Sequence, residues 1–366
     1  MAKRMMNEDG MIDLIWGAAL LAGGGGGAMR SAMDLMNKYK ADNPGDPLGV
    51  EICGVEDIGP GEYAASTAAI GSPVSFLGRD FTGFATNAFS GLVDMYAKMD
   101  PPVELKYSYA AEMGGFNTFV PLMISQYFKI PFIDADGAGR AVPAVNTTLF
   151  HINGCATAPM SMADDKNNRI CFTLEDPRNA VMCEEICRNI SASFGNLAGA
   201  SGWLAGPEDF NRIVKGSITL AEKIGRIMRE CAENREDVFA ALTEKGIVEC
   251  RLLGRGKVTE VESVVEKGFD YGKVVVDAGR KIVIHFQNEN LLCEIDGEPV
   301  LTVPDITCTY EITTGLPLTN ADITEGMEIA VGAIKVNDKW WDNPAMFDSW
   351  RPMLERIGYT GENIPY

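Results

Sequence analysis

The chain has 366 residues, 46% of them hydrophobic and 23% charged, which is typical of a globular protein with two or three domains. Lys and Arg number 32 and Asp and Glu 51, giving a formal charge of −19 that repels nucleic-acid backbones and anionic lipid. No apolar run approaches the ~18 uninterrupted residues of a membrane span, so we expect neither nucleic acid nor a membrane as a partner.

The N-terminal part of the chain alternates between helical and strand-like patterns. A 3.6-residue period predicts helices over 8–21, 29–40, 84–99 and 118–127. Short apolar runs predict strands over 50–55, 64–70, 103–110 and 131–133. This alternation indicates a mainly parallel sheet covered by helices, and therefore an α/β fold.

The pattern changes twice in the rest of the chain. Helices are predicted over 180–194, 207–234 and 237–245, with a Gly- and Ala-rich loop over 195–206. From residue 247 a period of two predicts strands over 274–276, 281–286, 291–295 and 329–336, with a little helix near 345–357. We therefore predict an N-terminal α/β domain over 1–170, a helical segment over 171–246 and a β-rich domain over 247–366.

Nine cysteines are scattered along the chain, and this odd number does not fit a disulfide framework. We expect reduced thiols and a cytoplasmic location, where structural disulfides are rare. Cys183 and Cys187 are four residues apart, which suits buried positions on one helix face better than a zinc site. Cys155 follows His151 closely, so a small buried side chain and a Cys–His nucleophile are both open interpretations.

Five consecutive glycines, Gly23–Gly27, separate the first two predicted helices. Backbone N–H groups at Gly24, Gly25 and Gly26, with a helix start and Arg30 nearby, can bind a carboxylate or phosphate. The run is neither a phosphate-binding loop of the Walker type nor a dinucleotide fingerprint, because a helix precedes it. The alternative is a flexible turn, for which five glycines have a high entropic cost.

The segment Glu112-Met-Gly-Gly-Phe-Asn117 follows a predicted strand, where open α/β sheets bind ligands. Glu112 is a candidate base or hydrogen-bond acceptor, and Asn117 can orient a carbonyl group. Gly114 and Gly115 allow the backbone to approach a substrate closely. The alternative is that Asn117 caps a helix and Glu112 is a solvated turn residue.

A second acidic segment, Asp134-Ala-Asp-Gly-Ala-Gly-Arg140, follows the next predicted strand. Asp134 and Asp136 share one strand face, so repulsion can raise one pKa and produce a general base near neutrality. Arg140 can bind a substrate anion or keep one Asp ionised. An Asx-type turn with a structural ion pair is equally open. An oxygen-ligated divalent metal on Glu112 and the two aspartates is a further alternative, and no other cofactor is expected.

These segments belong to a series of blocks that, in this order, resemble the S-methyl thiohydantoin desulfurase-like family over nearly the whole chain. The resembling blocks are Gly23–Gly27, Gly71-Ser-Pro73, Glu112–Asn117, Asp134–Pro143, Gly268-Phe-Asp-Tyr-Gly272, Phe286–Leu291, Pro304-Asp305 and Thr314-Gly315. The chain departs from the family pattern at Gly27-Ala28-Met29, where Asp-Pro usually follows the glycines, and at Ala138, where Met is usual.

The resemblance implies a Rossmann-like N-terminal domain and a swivelling β/β/α C-terminal domain. It also implies hydrolysis of an S-methyl thiohydantoin (a 2-methylthio-imidazolone) to a hydantoin with release of methanethiol, in the catabolism of S-methylated ergothioneine-type compounds. The expected partners are a small heterocyclic substrate with a carboxylate and further copies of the chain. The alternatives are a metal-assisted, hydantoinase-like cyclic amidohydrolase and a non-catalytic subunit of a hydantoinase/oxoprolinase complex.

One mechanism fits both the residues and the resemblance. Asp134 or Asp136 activates water against the ring carbon that bears sulfur, and Arg140 or Asn117 stabilises charge on the ring. The glycine loop, with Arg30, binds the carboxylate of the substrate.

Overall fold

The computed structural model describes residues 3–71, 79–266, 269–343 and 345–366. The elements of its first part are β1 (Arg4–Asn7), α1 (Glu8–Leu21), α2 (Met29–Asp42), β2 (Gly49–Cys53), β3 (Tyr63–Gly71), α3 (Thr82–Tyr96), β4 (Leu105–Ala110), α4 (Phe119–Phe128), β5 (Phe132–Asp136), α5 (Leu149–Ile152), β6 (Met160–Ala163), β7 (Arg169–Phe172), α6 (Ala180–Ser193), β8 (Leu197–Ala205), β9 (Val214–Lys215) and α7 (Ser217–Asn234). The second part comprises α8 (Val238–Glu244), β10 (Cys250–Glu266), β11 (Phe269–Asp277), β12 (Lys281–Gln287), β13 (Glu289–Ile295), β14 (Glu298–Thr302), β15 (Ile306–Glu311), β16 (Glu328–Ile334) and α9 (Met346–Arg356).

Two sheets organise these elements. The first has nine strands in the order β1-β2-β5-β4-β3-β8-β6-β7, with β9 beside β5. Its central strands β2-β5-β4-β3 are parallel, and antiparallel strands continue the sheet on both sides. The second sheet has seven strands in the order β14-β13-β12-β11-β10-β16-β15, all antiparallel. The prediction of an α/β fold with a β-rich C-terminal domain is therefore confirmed.

Residues 197–205 form strand β8, so the loop predicted over 195–206 is wrong. The strand lies between β3 and β6 and is almost completely buried. A Cβ on Gly199 would lie 2.2 Å from the carbonyl oxygen of Phe84 in α3, and a Cβ on Gly202 would lie 1.9 Å from the Met160 sulfur. Packing this close excludes the β-branched side chains by which strands are usually recognised.

Helices α1 and α7 cross at similarly short range. A Cβ on Gly225 would lie 1.7 Å from the carbonyl oxygen of Asp13, and Gly17 is equally restricted. The buried Asp13 carboxylate forms ion pairs with Arg229 at 2.6 Å and Arg226 at 3.1 Å. Asp13, an acidic residue on the buried face of α1, therefore fastens α1 to α7. The helix predicted over 207–234 begins only at residue 217, after β9.

The second sheet packs on the first part of the molecule through β15. Ile306, Cys308 and Tyr310 share a hydrophobic core with residues of α1, α7 and α8. Within the four described ranges, no helix is long and apolar enough to cross a bilayer. All nine cysteines are free thiols, and Cys183 and Cys187 are buried on α6, as the helix-packing interpretation predicts.

Candidate active site

A cleft of about 250 Å³ lies where the two sheets meet. One wall consists of the glycine loop, the end of β3 and the segment after β4. The other consists of helix α6 and of three segments from the second sheet domain, at residues 270, 288–289 and 319–321. The cleft thus lies at the carboxyl edge of the parallel strands, where open α/β sheets bind ligands.

Glu112 lines this cleft directly after β4. Its Oε1 accepts a hydrogen bond from Asn117 Nδ2 at 2.7 Å, and its Oε2 accepts one from the Val142 N–H at 2.8 Å. Burial, helped by the charges of Asp136 and Glu184, raises the pKa of Glu112 to about 7 against the opposing effect of these hydrogen bonds. A cleft carboxyl that titrates near neutrality can accept a proton from water at pH 7.

The glycine loop connects the two domains through its backbone. The carbonyl of Gly23 accepts a hydrogen bond from the Asn290 N–H at 2.7 Å, and that of Gly24 accepts one from the Asn320 N–H at 2.8 Å. Both donors belong to the second sheet domain. The loop is therefore a packed junction between domains rather than a flexible turn.

Close contacts on both sides explain why the loop consists of glycine. A Cβ on Gly25 would lie 1.9 Å from Glu289 Oε1, and a Cβ on Gly26 would lie 2.5 Å from the Gly114 Cα. The carbonyl of Gly26, a residue with φ of 68°, accepts a hydrogen bond from the Asn117 N–H at 3.1 Å. Side chains at these positions would push the cleft walls apart.

Glu289, the first residue of β13, also lines the cleft. Its side chain is almost fully enclosed, and Oε1 accepts a hydrogen bond from the Gly26 N–H at 3.3 Å. Burial raises the pKa of Glu289 well above its usual 4.5; the charge of Glu112 adds to this and that of Arg140 opposes it. Burial thus favours the protonated form of this carboxyl.

Asp134 lies outside the cleft wall and holds the start of helix α7. Its Oδ1 accepts hydrogen bonds from the N–H groups of Ile218 at 2.9 Å and Thr219 at 3.0 Å, and its Oδ2 accepts one from Thr219 Oγ1 at 2.6 Å. Gly216 occupies the N-cap position and has no side chain, so Asp134 supplies the missing acceptor from β5.

Asp136 is fully buried and also lies outside the cleft wall. Its Oδ2 accepts hydrogen bonds from the N–H groups of Ala138 at 2.9 Å and Gly139 at 2.6 Å, which matches the Asx-type turn left open by the spacing. Burial raises the pKa of Asp136 to about 7 in spite of these bonds.

Arg140 is fully buried and serves as a clamp between the domains. Its Nη1 donates to the carbonyl of Pro304 at 2.6 Å and that of Asp305 at 3.1 Å, and its Nη2 donates to that of Asn290 at 3.4 Å. The guanidinium lies 5.0 Å from the ring centroid of Trp350. With its donors directed at backbone carbonyls, Arg140 does not reach the cleft wall.

Helix α6 brings a different guanidinium to the cleft. Arg188 lines the wall, with Nη2 2.6 Å from Glu184 Oε1 and its guanidinium 3.9 Å from the ring centroid of Phe269. Arg30 is exposed on α2 and is not part of the wall. Ala28, at the N-cap position of α2, makes no side-chain cap, and it lines the cleft together with Ser31.

The Cys155 thiol is buried outside the cleft wall, and burial raises its pKa. Burial also lowers the pKa of His151, which likewise lies outside the wall. Neither environment favours the thiolate–imidazolium pair of a cysteine nucleophile. Throughout the part of the chain that the structure describes, no group of three or more His, Cys, Asp or Glu is arranged to hold a metal ion.

The structure brings some of the predicted site residues together and separates others. Those in the cleft wall are Glu112, Asn117, Gly24, Gly25 and Gly26. Those behind or away from it are Gly114, Gly115, Arg30, Asp134, Asp136 and Arg140. Glu184 and Arg188 join the wall without any sequence signal that singled them out, whereas Asp270 and Glu289 lay inside the resembling blocks 268–272 and 286–291. Ser72, Pro73 and Gly268, which belong to resembling blocks, lie outside the described residues.

Comparison with known proteins agrees with this two-domain arrangement. A family model described as S-Me-THD-like, N-terminal domain, matches residues 10–174, and one described as S-Me-THD-like, C-terminal domain, matches residues 178–353. A crystal structure of a protein from Chromobacterium violaceum superposes with a TM-score of 0.87 at 22% identity and covers 99% of each chain, which shows the same fold. No curated protein matches the chain.

Proposed function

The chain belongs to the S-Me-THD-like family, and from this premise we propose that it hydrolyses an S-methyl thiohydantoin to a hydantoin and methanethiol. The observation that supports a catalytic role is Glu112, a carboxyl at the wall of a cleft with a pKa of about 7. If the protein were a non-catalytic subunit, we would expect its clustered acids to be paired and away from any cleft. Asp134 and Asp136 fit that description, whereas Glu112 does not.

We assign the role of general base to Glu112. The hypothesis drawn from sequence gave this role to Asp134 or Asp136, but Asp134 is occupied by the start of α7 and Asp136 is enclosed in its own turn. Asn117 is a positioning residue, since its amide fixes Oε1 of Glu112 at 2.7 Å.

The reaction proceeds by addition and elimination at the ring carbon that bears sulfur. Glu112 removes a proton from water as the water oxygen bonds to this carbon, and the C=N bond becomes a C–N single bond. The C–S bond then breaks, and Glu112 returns its proton to the departing methanethiolate. A thiolate is a better leaving group than a ring amide, so desulfurisation is faster than ring opening.

The substrate carboxylate needs a positive partner in the cleft. Arg188 is the guanidinium in the described wall, and the start of α2 lines the same cleft at Ala28 and Ser31. Guanidinium groups and helix N-termini both favour anions. We therefore propose that Arg188, rather than the exposed Arg30, pairs with the carboxylate.

The test is a thiol-release assay on S-methyl thiohydantoins with and without a propionate arm. Wild-type protein should release methanethiol, and Glu112→Gln should lower kcat/KM by about 10²- to 10⁴-fold, the usual contribution of a general base. Glu104→Gln is the matched control, because Glu104 is an exposed carboxyl just before β4. Full turnover by Glu112→Gln would remove this base, and a ring-opened product without methanethiol would favour the amidohydrolase alternative.

A further inference from the structure

Base catalysis by Glu112 leaves one proton of the reaction unassigned. When water adds to the ring carbon, the neighbouring ring nitrogen gains electron density and must be protonated. Asn117 cannot supply this proton, because its amide donates to Glu112 and does not ionise. The proton donor must therefore be another group in the cleft wall, one that is neutral, acidic and has an uncommitted oxygen.

Glu289 meets these requirements by its position. It follows a tight turn at Asn288, which has φ of 55°, and it enters the cleft from the second sheet domain. The residue is 3% exposed, and its Oε1 accepts the hydrogen bond from Gly26. Its Oε2 has no hydrogen-bond partner among the described residues. Buried carboxyl oxygens are rarely left without a partner unless a ligand or a reaction uses them.

The glycine loop is shaped around this carboxyl. At Gly25 even a methyl group would overlap Glu289 Oε1, so this position must be glycine for the carboxyl to fit. Arg140 fixes the adjacent backbone by donating to the carbonyl of Asn290. The carboxyl is thus held at a defined position in the cleft wall, which proton transfer to a bound ring requires.

Burial, more than any neighbouring charge, raises the pKa of Glu289 and favours its protonated form. The charged groups that act on it are Glu112 after β4, which disfavours ionisation, and Arg140 after β5, which favours it less strongly than burial opposes it. Since Oε1 accepts the hydrogen bond from Gly26, Oε2 is the oxygen left to carry a transferable proton.

Glu289 and Glu112 are also linked through three contacts. Glu289 Oε1 accepts from the Gly26 N–H, the Gly26 carbonyl accepts from the Asn117 N–H, and the Asn117 amide donates to Glu112 Oε1. The two carboxyls therefore occupy fixed positions on one cleft although they come from different domains.

We propose that Glu289 is the catalytic acid of this cleft, donating its Oε2 proton to the ring nitrogen while Glu112 activates water. The inference rests on the proposed function. Glu289 loses its proton to the nitrogen as the water oxygen bonds to carbon, and Glu112 holds the proton taken from that water. When the C–S bond breaks, Glu112 returns its proton to methanethiolate, and the hydroxyl proton passes to Glu289 as the new C=O forms. Water is consumed, methanethiol and hydantoin are released, and both carboxyls regain their starting states.

The pH dependence of kcat/KM for methanethiol release tests this assignment. In the wild type kcat/KM should rise as Glu112 ionises and fall at higher pH as Glu289 loses its proton. Glu289→Gln should lower kcat by about 10²-fold and abolish the falling limb, while Glu112→Gln abolishes the rising limb. Glu294→Gln, on the same strand but paired with His285, should keep both limbs.

Glu289→Asp distinguishes a catalytic role of Glu289 from a structural one. The variant keeps a carboxylic acid with a shorter side chain, so its pH profile should retain the falling limb at a reduced rate. A falling limb that persists in Glu289→Gln, or a wild-type rate in that variant, overturns the role of Glu289 as the acid but leaves the proposed function standing. A wild type that releases no methanethiol from either substrate overturns the proposed function itself.

Discussion

Asp136→Asn should make the protein more stable at neutral pH, although the substitution lies in a fully buried turn. In the native state the pKa of Asp136 is about 7 rather than its usual 3.8, because burial penalises the charge. Folding therefore favours the protonated form of this carboxyl. The stability that depends on the neutral form is present below pH 3.8 and is lost as the pH rises to about 7. At about 1.4 kcal/mol per pH unit this loss amounts to roughly 4 kcal/mol.

Asparagine has the shape of the protonated carboxyl and does not ionise, so it avoids this loss. Its Oδ1 can accept the hydrogen bonds of Ala138 and Gly139. The difference in unfolding free energy between variant and wild type, measured by urea denaturation, should be small at pH 4. By pH 8 it should have moved by up to about 4 kcal/mol in favour of the variant.

Asp164→Asn is the control with the opposite sign. Burial acts to raise the pKa of Asp164, but hydrogen bonds from Asn168 and Lys166 outweigh it and the net pKa is lowered. The carboxylate therefore stabilises the fold at neutral pH, and this stabilisation is lost as pH falls. Asp164→Asn should be destabilised at pH 7 and less so at pH 4. If Asp136→Asn followed the same trend as Asp164→Asn, Asp136 would be ionised in the native protein and the reasoning would be refuted.

Two further predictions separate structural from functional groups. Asp134→Ala removes the acceptor for three donors at the start of α7, so it should lower the free energy of unfolding, measured by urea denaturation, by about 1–2 kcal/mol. Its kcat for methanethiol release should stay within twofold of wild type, and a loss beyond tenfold would assign Asp134 a role in the reaction. Arg188→Gln should raise KM by at least tenfold for the substrate with a propionate arm and leave KM for the armless substrate unchanged, whereas Arg30→Gln should change neither. A larger effect of Arg30→Gln would restore Arg30 as the carboxylate partner.

The sequence was sufficient for features that depend on local patterns. The amphipathic periods predicted α1 to α4 within a few residues. An acid followed by glycines after a strand predicted a site at Glu112, and this residue lines the cleft. The glycine run was also informative, but its cause is steric. Gly25 and Gly26 are required by Glu289 and by Gly114, contacts that no local pattern contains.

Features that depend on distant partners could not be predicted in this way. Asp134 looked like a catalytic acid because its role as a cap depends on a helix that begins 83 residues later, at Ser217. Arg188 is unremarkable in its own segment, and Glu289 stood out only as part of the block 286–291; both become site residues only when the domains meet. Strand β8 was missed because helix packing demands small residues in it, which removes the usual signal of a strand.

Strand β8 has a consequence for how the chain is assembled during synthesis. The boundary between the two family models lies at residues 174–178, yet β8 joins β3 to β6 inside the first sheet. A nascent chain that ends before residue 197 would leave one side of β3 without a partner strand and the β6–β7 hairpin detached from the sheet. Such an edge can pair with other chains. The N-terminal half is thus a family unit in sequence but becomes a closed folding unit only after β8 has left the ribosome.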